Sequence, residues 1–122
     1  TKYEINYIGA NSPIIHFSED NLVLHKGQKS SLGLSSKEIE SYSITNFSYN
    51  VGDTIYLYTD GYQNQFGGEQ DKKFMGKRLK SLFSKIHHLP IEEQEELIKS
   101  TIEDWMKSSK QTDDILVIGI NL

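Results

Sequence analysis

The first half of the chain shows the alternation of apolar and polar residues that is typical of β-strands. Residues 3–7 alternate strictly, which predicts a half-buried strand. Two short apolar runs at 14–17 and 22–25 are joined by Ser-Glu-Asp-Asn, which predicts a hairpin with a four-residue connection. Polar and small residues at 26–40 predict a surface loop, and 42–49 predicts a fourth strand. We therefore expect a small antiparallel meander.

Two later segments are apolar on both faces, as expected for strands inside a sheet. The first is 54–59, which follows a turn at 50–53 and carries aliphatic residues on one face and tyrosines on the other. The second is 115–120, which is apolar on both faces apart from Gly119. Glycines and amides at 63–70 predict a loop between them. Both strands are predicted to be central.

Two amphipathic helices are predicted between these strands. Apolar residues at helical spacing predict one helix over Phe74–His87 and another over Ile91–Ser108, with Pro90 in the first turn of the second. The predicted buried positions are Met75, Leu79, Leu82, Phe83, Ile86, Leu97, Ile98, Ile102, Trp105 and Met106. Strands, two helices and a returning strand predict an α+β fold, an antiparallel sheet covered by an antiparallel helix pair.

Composition narrows the classes of protein that the chain can represent. Its 122 residues fit one domain, and its lack of cysteine excludes disulfides, thiolate metal sites and cysteine nucleophiles. No apolar run approaches the ~20 residues of a membrane span, so this segment is not expected to insert into a membrane. The net charge of −4 does not favour nucleic acid as a partner. Any metal would be held by oxygen or imidazole.

Carboxylates stand at the ends of the two central strands. Asp60 follows one strand, and Asp113 and Asp114 precede the other. If these strands are antiparallel neighbours, the carboxylates meet at one edge of the sheet, where clustered negative charge suits Mg²⁺ or Mn²⁺. The small Gly61 would let backbone or a hydrated metal come close. The alternative is that Asp60 and Gly61 simply form a turn.

Other polar residues are given structural roles. His16 and His25 lie in short strands at a spacing unlike that of metal ligands, so we expect ordinary surface or cross-strand positions. Trp105 is expected in the core. Asp53 and Asp71 are expected to lie outside the carboxylate cluster.

Several motifs occur in the order found in one phosphatase family. The segments 57–61, Leu-Tyr-Thr-Asp-Gly, and 111–118, Gln-Thr-Asp-Asp-Ile-Leu-Val-Ile, resemble the C-terminal half of a metal-dependent protein phosphatase of the PPM type (the phosphatase 2C class). The closer resemblance is to its bacterial SpoIIE-like branch, which 9–13, 32–34 and 60–68 also resemble.

The resemblance implies a β-sandwich and a serine/threonine phosphatase activity that depends on Mn²⁺ or Mg²⁺. It implies that Asp60 and Asp113 are direct metal ligands. Asp114 and Gly61 would at most support these ligands without contacting the metal, and no other residue here is implied to be catalytic. Two ions would activate a water that attacks the phosphorus directly. The implied substrate is a phosphorylated regulatory protein of the anti-sigma antagonist type.

The resemblance is incomplete in its acidic motifs. The family's upstream Gly-Asp strand end and Asp-Gly-His-Gly-like loop are absent, and Asn64 stands where many relatives have aspartate. We therefore interpret residues 1–122 as the C-terminal part of a phosphatase domain whose upstream half is missing, and expect little activity from this part alone. The parent would be cytoplasmic, with a sensor, and any membrane anchor, upstream in the same polypeptide.

Two other functions stay open at this point. The chain could be a phosphatase-like module that binds a protein partner without catalysis. It could also be a phosphoacceptor receiver, but in that class the acidic pair follows a parallel strand, whereas Asp113 and Asp114 precede one.

Overall fold

A computed structural model describes residues 3–9, 13–26 and 44–122. The elements are β1 Tyr3–Tyr7, β2 Ile14–Ser18, β3 Asn21–His25, β4 Thr45–Tyr49, β5 Thr54–Tyr58, α1 Gly61–Asn64, β6 Phe66–Gly67, β7 Lys72–Lys73, α2 Gly76–Ile86, α3 Ile91–Met106 and β8 Val117–Asn121. The predicted loop at 26–40, apart from Lys26, the motif at 32–34 and most of 9–13 lie outside the described residues. The predicted α+β class with antiparallel sheets is confirmed.

The chain divides into two compact units. The first contains the residues up to Leu57 together with Ile120–Leu122, and the second contains Tyr58–Gly119. In the first unit β1 pairs antiparallel with β4, and Tyr3 stacks on its partner Tyr49. The apolar core of this unit consists of Ile14, Phe47 and Ile55, against which Ile5, Tyr7, Leu57 and Leu122 are packed.

The hairpin of β2 and β3 is tighter than predicted. Ser18 pairs with Asn21, so only Glu19 and Asp20 form the connection, and the predicted four-residue loop is wrong. Glu19 takes up the turn by adopting a left-handed backbone with a φ of 55°. Ser18 and Asn21 are polar and were therefore assigned to the loop, although they form the last pair of the ladder.

The main sheet has the strand order β3-β2-β5-β8. The interior position of β5 is confirmed. Within the described part of the chain, β8 stands at the end of this order, so its predicted central position is wrong. Its apolar residues Ile118 and Ile120, with Leu116 just before the strand, are 40–53% exposed. An interior strand and a strand with an exposed apolar face can have the same pattern of apolar residues, so the sequence alone could not distinguish them.

Of the two predicted helices, α2 starts later and ends earlier than predicted, whereas α3 starts at Ile91 as predicted and ends two residues early. Met75, predicted to be buried, has a left-handed backbone with a φ of 78° and a largely exposed side chain, and α2 begins after it. The predicted burial of Leu79, Phe83 and Ile86 is confirmed. Pro90 is the N-cap residue of α3 and therefore precedes the first turn in which it was predicted. On α3 Leu97 is exposed, contrary to expectation. None of the helices in the described ranges has the length and apolar character of a membrane span.

The segment predicted as a loop at 63–70 contains regular structure. The short helix α1 ends in it, and the two-residue strands β6 and β7 pair through Phe66 and Lys73. Trp105 secures this segment, because its indole Nε1 donates a hydrogen bond of 3.0 Å to the Gln65 carbonyl. At Gly67 a Cβ would lie 2.0 Å from the Trp105 carbonyl oxygen, so only glycine permits this approach.

Candidate functional site

The ends of β5 and β8 that carry the predicted site residues lie side by side. The Gly52 N–H donates to the Leu122 carbonyl at 2.8 Å, and the Thr59 N–H donates to the Leu116 carbonyl at 3.0 Å. The first bond joins the start of β5 to the end of β8, and the second joins the end of β5 to the start of β8. The two strands are therefore antiparallel neighbours. The condition set by the sequence is therefore met, and Asp60 follows one strand where Asp113 precedes the other.

Gly61 allows the two chain segments to come into direct contact. A Cβ at this position would lie 2.0 Å from the Asp114 carbonyl oxygen and 3.2 Å from the Ile115 Cα. No side chain larger than hydrogen fits without displacing backbone. The close approach of backbone expected at Gly61 is therefore present.

The three carboxylates around this contact are exposed to solvent. Asp113 is partly fixed, because its Oδ1 accepts the Asp114 N–H at 2.8 Å and its carbonyl accepts Gln111 Nε2 at 2.9 Å. Burial raises the pKa of Tyr58, and the nearby negative charge of Asp60 raises it further. In the described ranges no lysine or arginine pairs with Asp60 or Asp113. The strand ends therefore form a negatively charged, solvent-accessible edge.

This edge fits part of a site for a hard divalent cation. Carboxylate and carbonyl oxygens suit Mg²⁺ and Mn²⁺, and each ion needs about six oxygen ligands, some of them water. Among the described residues no group of three or more aspartate, glutamate or histidine side chains is arranged to hold a metal. Asp60 and Asp113 thus account for a fraction of a ligand set, and their role as ligands stays a prediction.

The other predicted residues of this region have backbone roles. The Asp114 carbonyl accepts the Thr59 hydroxyl at 3.1 Å. The Asn64 N–H closes α1 by donating to the Asp60 carbonyl at 3.0 Å. Asp71 has a left-handed backbone, with a φ of 50°, between β6 and β7.

A second polar cluster, missed by the sequence analysis, lies in the first unit. His16 is buried, and its Nε2 donates to Asp53 Oδ2 at 2.7 Å, while its Nδ1 lies 2.9 Å from His25 Nε2. His25 stacks on Phe47 with 3.6 Å between ring centroids. Of the surface or cross-strand positions expected for the two histidines, His16 has a cross-strand position, and it is buried. His25 pairs with Ile14 in the hairpin, which places it diagonal to His16 on one face.

The environment of this cluster shifts two pKa values. Burial alone would raise the pKa of Asp53, but hydrogen bonds from the Asn50 N–H, His16 and Ser18 outweigh it and lower that pKa. The pKa of His25 is lowered, mainly by burial and further by the charge of His16. The lowered pKa of Asp53 keeps this carboxylate ionised, and the lowered pKa of His25 disfavours a positive charge on its ring.

Comparison with known proteins adds a family and a fold. The model of the family described as Stage II sporulation protein E (SpoIIE) matches residues 2–122. The solved SiaA-PP2C domain of Pseudomonas aeruginosa is similar, with a TM-score of 0.85 and 24% identity over 98% of this chain and 46% of that one. The comparison with curated proteins found no match.

The phosphatase domain of the cell fate determinant SpoIIE from Bacillus subtilis has the same fold. Its Mn-presoaked form matches with a TM-score of 0.59 and 15% identity over all of this chain and 56% of that one. Another structure of that domain gives a TM-score of 0.55 and 15% identity over 98% of this chain and 48% of that one. The chain thus has the PP2C fold and spans about half the length of the solved domains it matches.

Proposed function

The chain belongs to the SpoIIE family, and we propose that it forms the carboxyl-terminal part of a protein phosphatase domain that hydrolyses phosphoserine or phosphothreonine in a partner protein. The observation that carries this proposal is the meeting of the Asp60 and Asp113 strand ends, within a chain that the family model matches almost completely. The PP2C fold supports a hydrolase that acts on phosphate esters.

In this function Asp60 and Asp113 would hold Mn²⁺ or Mg²⁺ through their carboxylate oxygens. Both side chains are exposed and no cationic side chain of the described residues pairs with them, so their oxygens are accessible to a cation. Two such ions would supply the Lewis acidity that polarises a phosphate ester. Gly61 keeps the two strand ends close, and Asp114 contributes backbone to that contact.

The remaining ligands would come from an upstream half of the same domain. The solved domains of this fold are about twice as long as the chain. The apolar residues Leu116, Ile118 and Ile120 are substantially exposed along β8, and a run of exposed apolar residues favours a covering partner. We assign the missing acidic groups, and the cover for this face, to that half.

The partner would be a phosphorylated regulatory protein of the anti-sigma antagonist type, as the sequence motifs imply. A sensor or signalling domain upstream in the same polypeptide would control activity. The net charge of −4 gives no support for nucleic acid as a partner. This segment would act in the cytoplasm without inserting into a membrane, and any membrane anchor would be part of the upstream sensor.

The test is a phosphatase assay on the full-length polypeptide that contains this chain. Hydrolysis of a phosphoserine peptide is measured in Mn²⁺ for the parent and for its Asp60→Asn, Asp113→Asn and Asp71→Asn variants. We expect activity to fall at least a hundredfold in the first two variants. Activity should be unchanged in Asp71→Asn, which alters a carboxylate outside the site.

Two results would contradict the assignment. An inactive parent that is folded and retains upstream acidic motifs would favour the non-catalytic binding module. Equal activity in all three variants would show that the Asp60 and Asp113 edge is not the metal site.

A further inference from the structure

Thr59 joins the two strand ends through three hydrogen bonds. Its N–H donates to the Leu116 carbonyl at 3.0 Å. Its hydroxyl donates to the Asp114 carbonyl at 3.1 Å and accepts the Leu116 N–H at 3.1 Å. One residue beside Asp60 therefore contacts the backbone on both sides of Ile115, close to Asp113.

The chemistry of this contact requires a hydroxyl. A serine or threonine oxygen can donate and accept at the same atom, whereas valine has the same shape and can do neither. Two residues adjoin the Asp114 carbonyl: the Thr59 hydroxyl donates a hydrogen bond to it, and it is so close to Gly61 that a Cβ there would lie 2.0 Å from its oxygen. These two residues flank Asp60, so the same contacts that place the carbonyl also fix the path of the chain at Asp113.

We propose that Thr59 is a positioning residue that holds the Asp113–Asp114 backbone beside Asp60, so that the two carboxylates are placed for one divalent cation. This inference rests on the proposed function, because it assumes that Asp60 and Asp113 bind the metal. Groups that orient metal ligands without touching the ion change metal affinity by roughly 10–100-fold when they are removed.

The chain offers a matched control at the other end of the same strands. The Thr54 hydroxyl donates to Asn121 Oδ1 at 3.0 Å, so it also links β5 to β8. Thr54→Val removes a threonine hydroxyl from the same strand, but far along it from Asp60. Thr59→Val removes the hydroxyl at the proposed site, and Thr59→Ser retains it.

The experiment measures Mn²⁺ affinity of the full-length polypeptide by electron paramagnetic resonance, with thermal unfolding as a check of folding. We expect about tenfold weaker binding in Thr59→Val, and wild-type binding in Thr59→Ser and Thr54→Val. Hydrogen exchange of the peptide covering 111–117 should increase in Thr59→Val alone. If the valine variant does not fold, Thr59→Ala is judged by the same criteria.

The outcomes separate this inference from the function on which it rests. Wild-type affinity in Thr59→Val, or an equal loss in Thr54→Val, would overturn the role of Thr59 while Asp60→Asn still abolishes Mn²⁺ binding. Unchanged binding in both Asp60→Asn and Asp113→Asn would overturn the metal site itself, and the role of Thr59 with it.

Discussion

His16 and Asp53 form a buried hydrogen bond of 2.7 Å between Nε2 and Oδ2, although 37 residues separate them in sequence. The Asn50 N–H donates to the same carboxylate oxygen at 2.9 Å. The bond joins the buried strand β2 to the turn that precedes β5. Because Asp53 is ionised and can only accept, the Nε2 of His16 carries the proton in this contact.

The His16 and Asp53 bond limits the protonation of His25, because His16 also contacts His25 through its other ring nitrogen. His16 Nδ1 and His25 Nε2 face each other at 2.9 Å, so one proton lies between them. If both rings were fully protonated, two N–H groups would face each other and the hydrogen bond would be lost.

We predict that the protein loses stability as the pH falls below 7. The pKa of His25 is lowered in the folded state, so the unfolded state takes up the proton more readily. The free energy of unfolding therefore begins to decrease near the ordinary histidine pKa and stops decreasing below the lowered one. The Asp53 pKa is also lowered, which removes further stability when that carboxylate is protonated in stronger acid.

The measurement is thermal unfolding between pH 7.5 and 5, with His25→Phe as the test variant and His88→Phe as its control. Phenylalanine keeps the ring on Phe47 but removes the titrating group, so the pH dependence over this range should become shallower. His88 is exposed at the end of α2, and replacing it should leave the wild-type slope. An unaltered slope in His25→Phe would show that another group causes the acid sensitivity.

Asp53→Asn should destabilise the protein at pH 7 by about 1.5–3 kcal/mol, the range for buried hydrogen bonds to charged groups. The asparagine carbonyl oxygen can still accept from His16 Nε2 and the Asn50 N–H, but it carries no negative charge, so both hydrogen bonds become weaker. Urea unfolding measures the change, and Asp71→Asn, at an exposed turn, is the matched control. A loss below about 0.5 kcal/mol, the usual range for surface substitutions, would contradict this role for the charge.

Gly61→Ala should lower stability by about 1–3 kcal/mol because the new Cβ would meet the Asp114 carbonyl oxygen at 2.0 Å. The displaced segment carries Asp113, so Mn²⁺ affinity of the full-length polypeptide should fall as well. At Gly76 a Cβ would approach only the flexible Gln63 side chain, at 3.2 Å, and Gly76→Ala should be tolerated. Thermal unfolding and Mn²⁺ titration of both variants test the prediction, and equal behaviour of the two would contradict it.

Local patterns predicted the elements better than they predicted their environment. Alternation located β5 and with it the strand-end position of Asp60, and the apolar run at 115–120 placed Asp113 before the returning strand. Polar strand ends and loop residues have the same composition, so the sequence did not show that Ser18 and Asn21 extend the ladder. The His16 and Asp53 bond was missed for another reason, because it depends on β5 lying beside β2, and local patterns do not predict which distant strands become neighbours.

The 122-residue chain alone should show little or no phosphatase activity, even in millimolar Mn²⁺. Two-metal hydrolysis needs several oxygen ligands for each ion, and among the described residues no group of three acidic or histidine side chains is arranged for that purpose. Two carboxylates can still hold one ion weakly, so Mn²⁺ binding without turnover is the expected combination. The chain and the full-length polypeptide are compared on p-nitrophenyl phosphate, each beside its Asp60→Asn and Asp113→Asn variants. Rapid turnover by the short chain that depends on both aspartates would show that no upstream half is required.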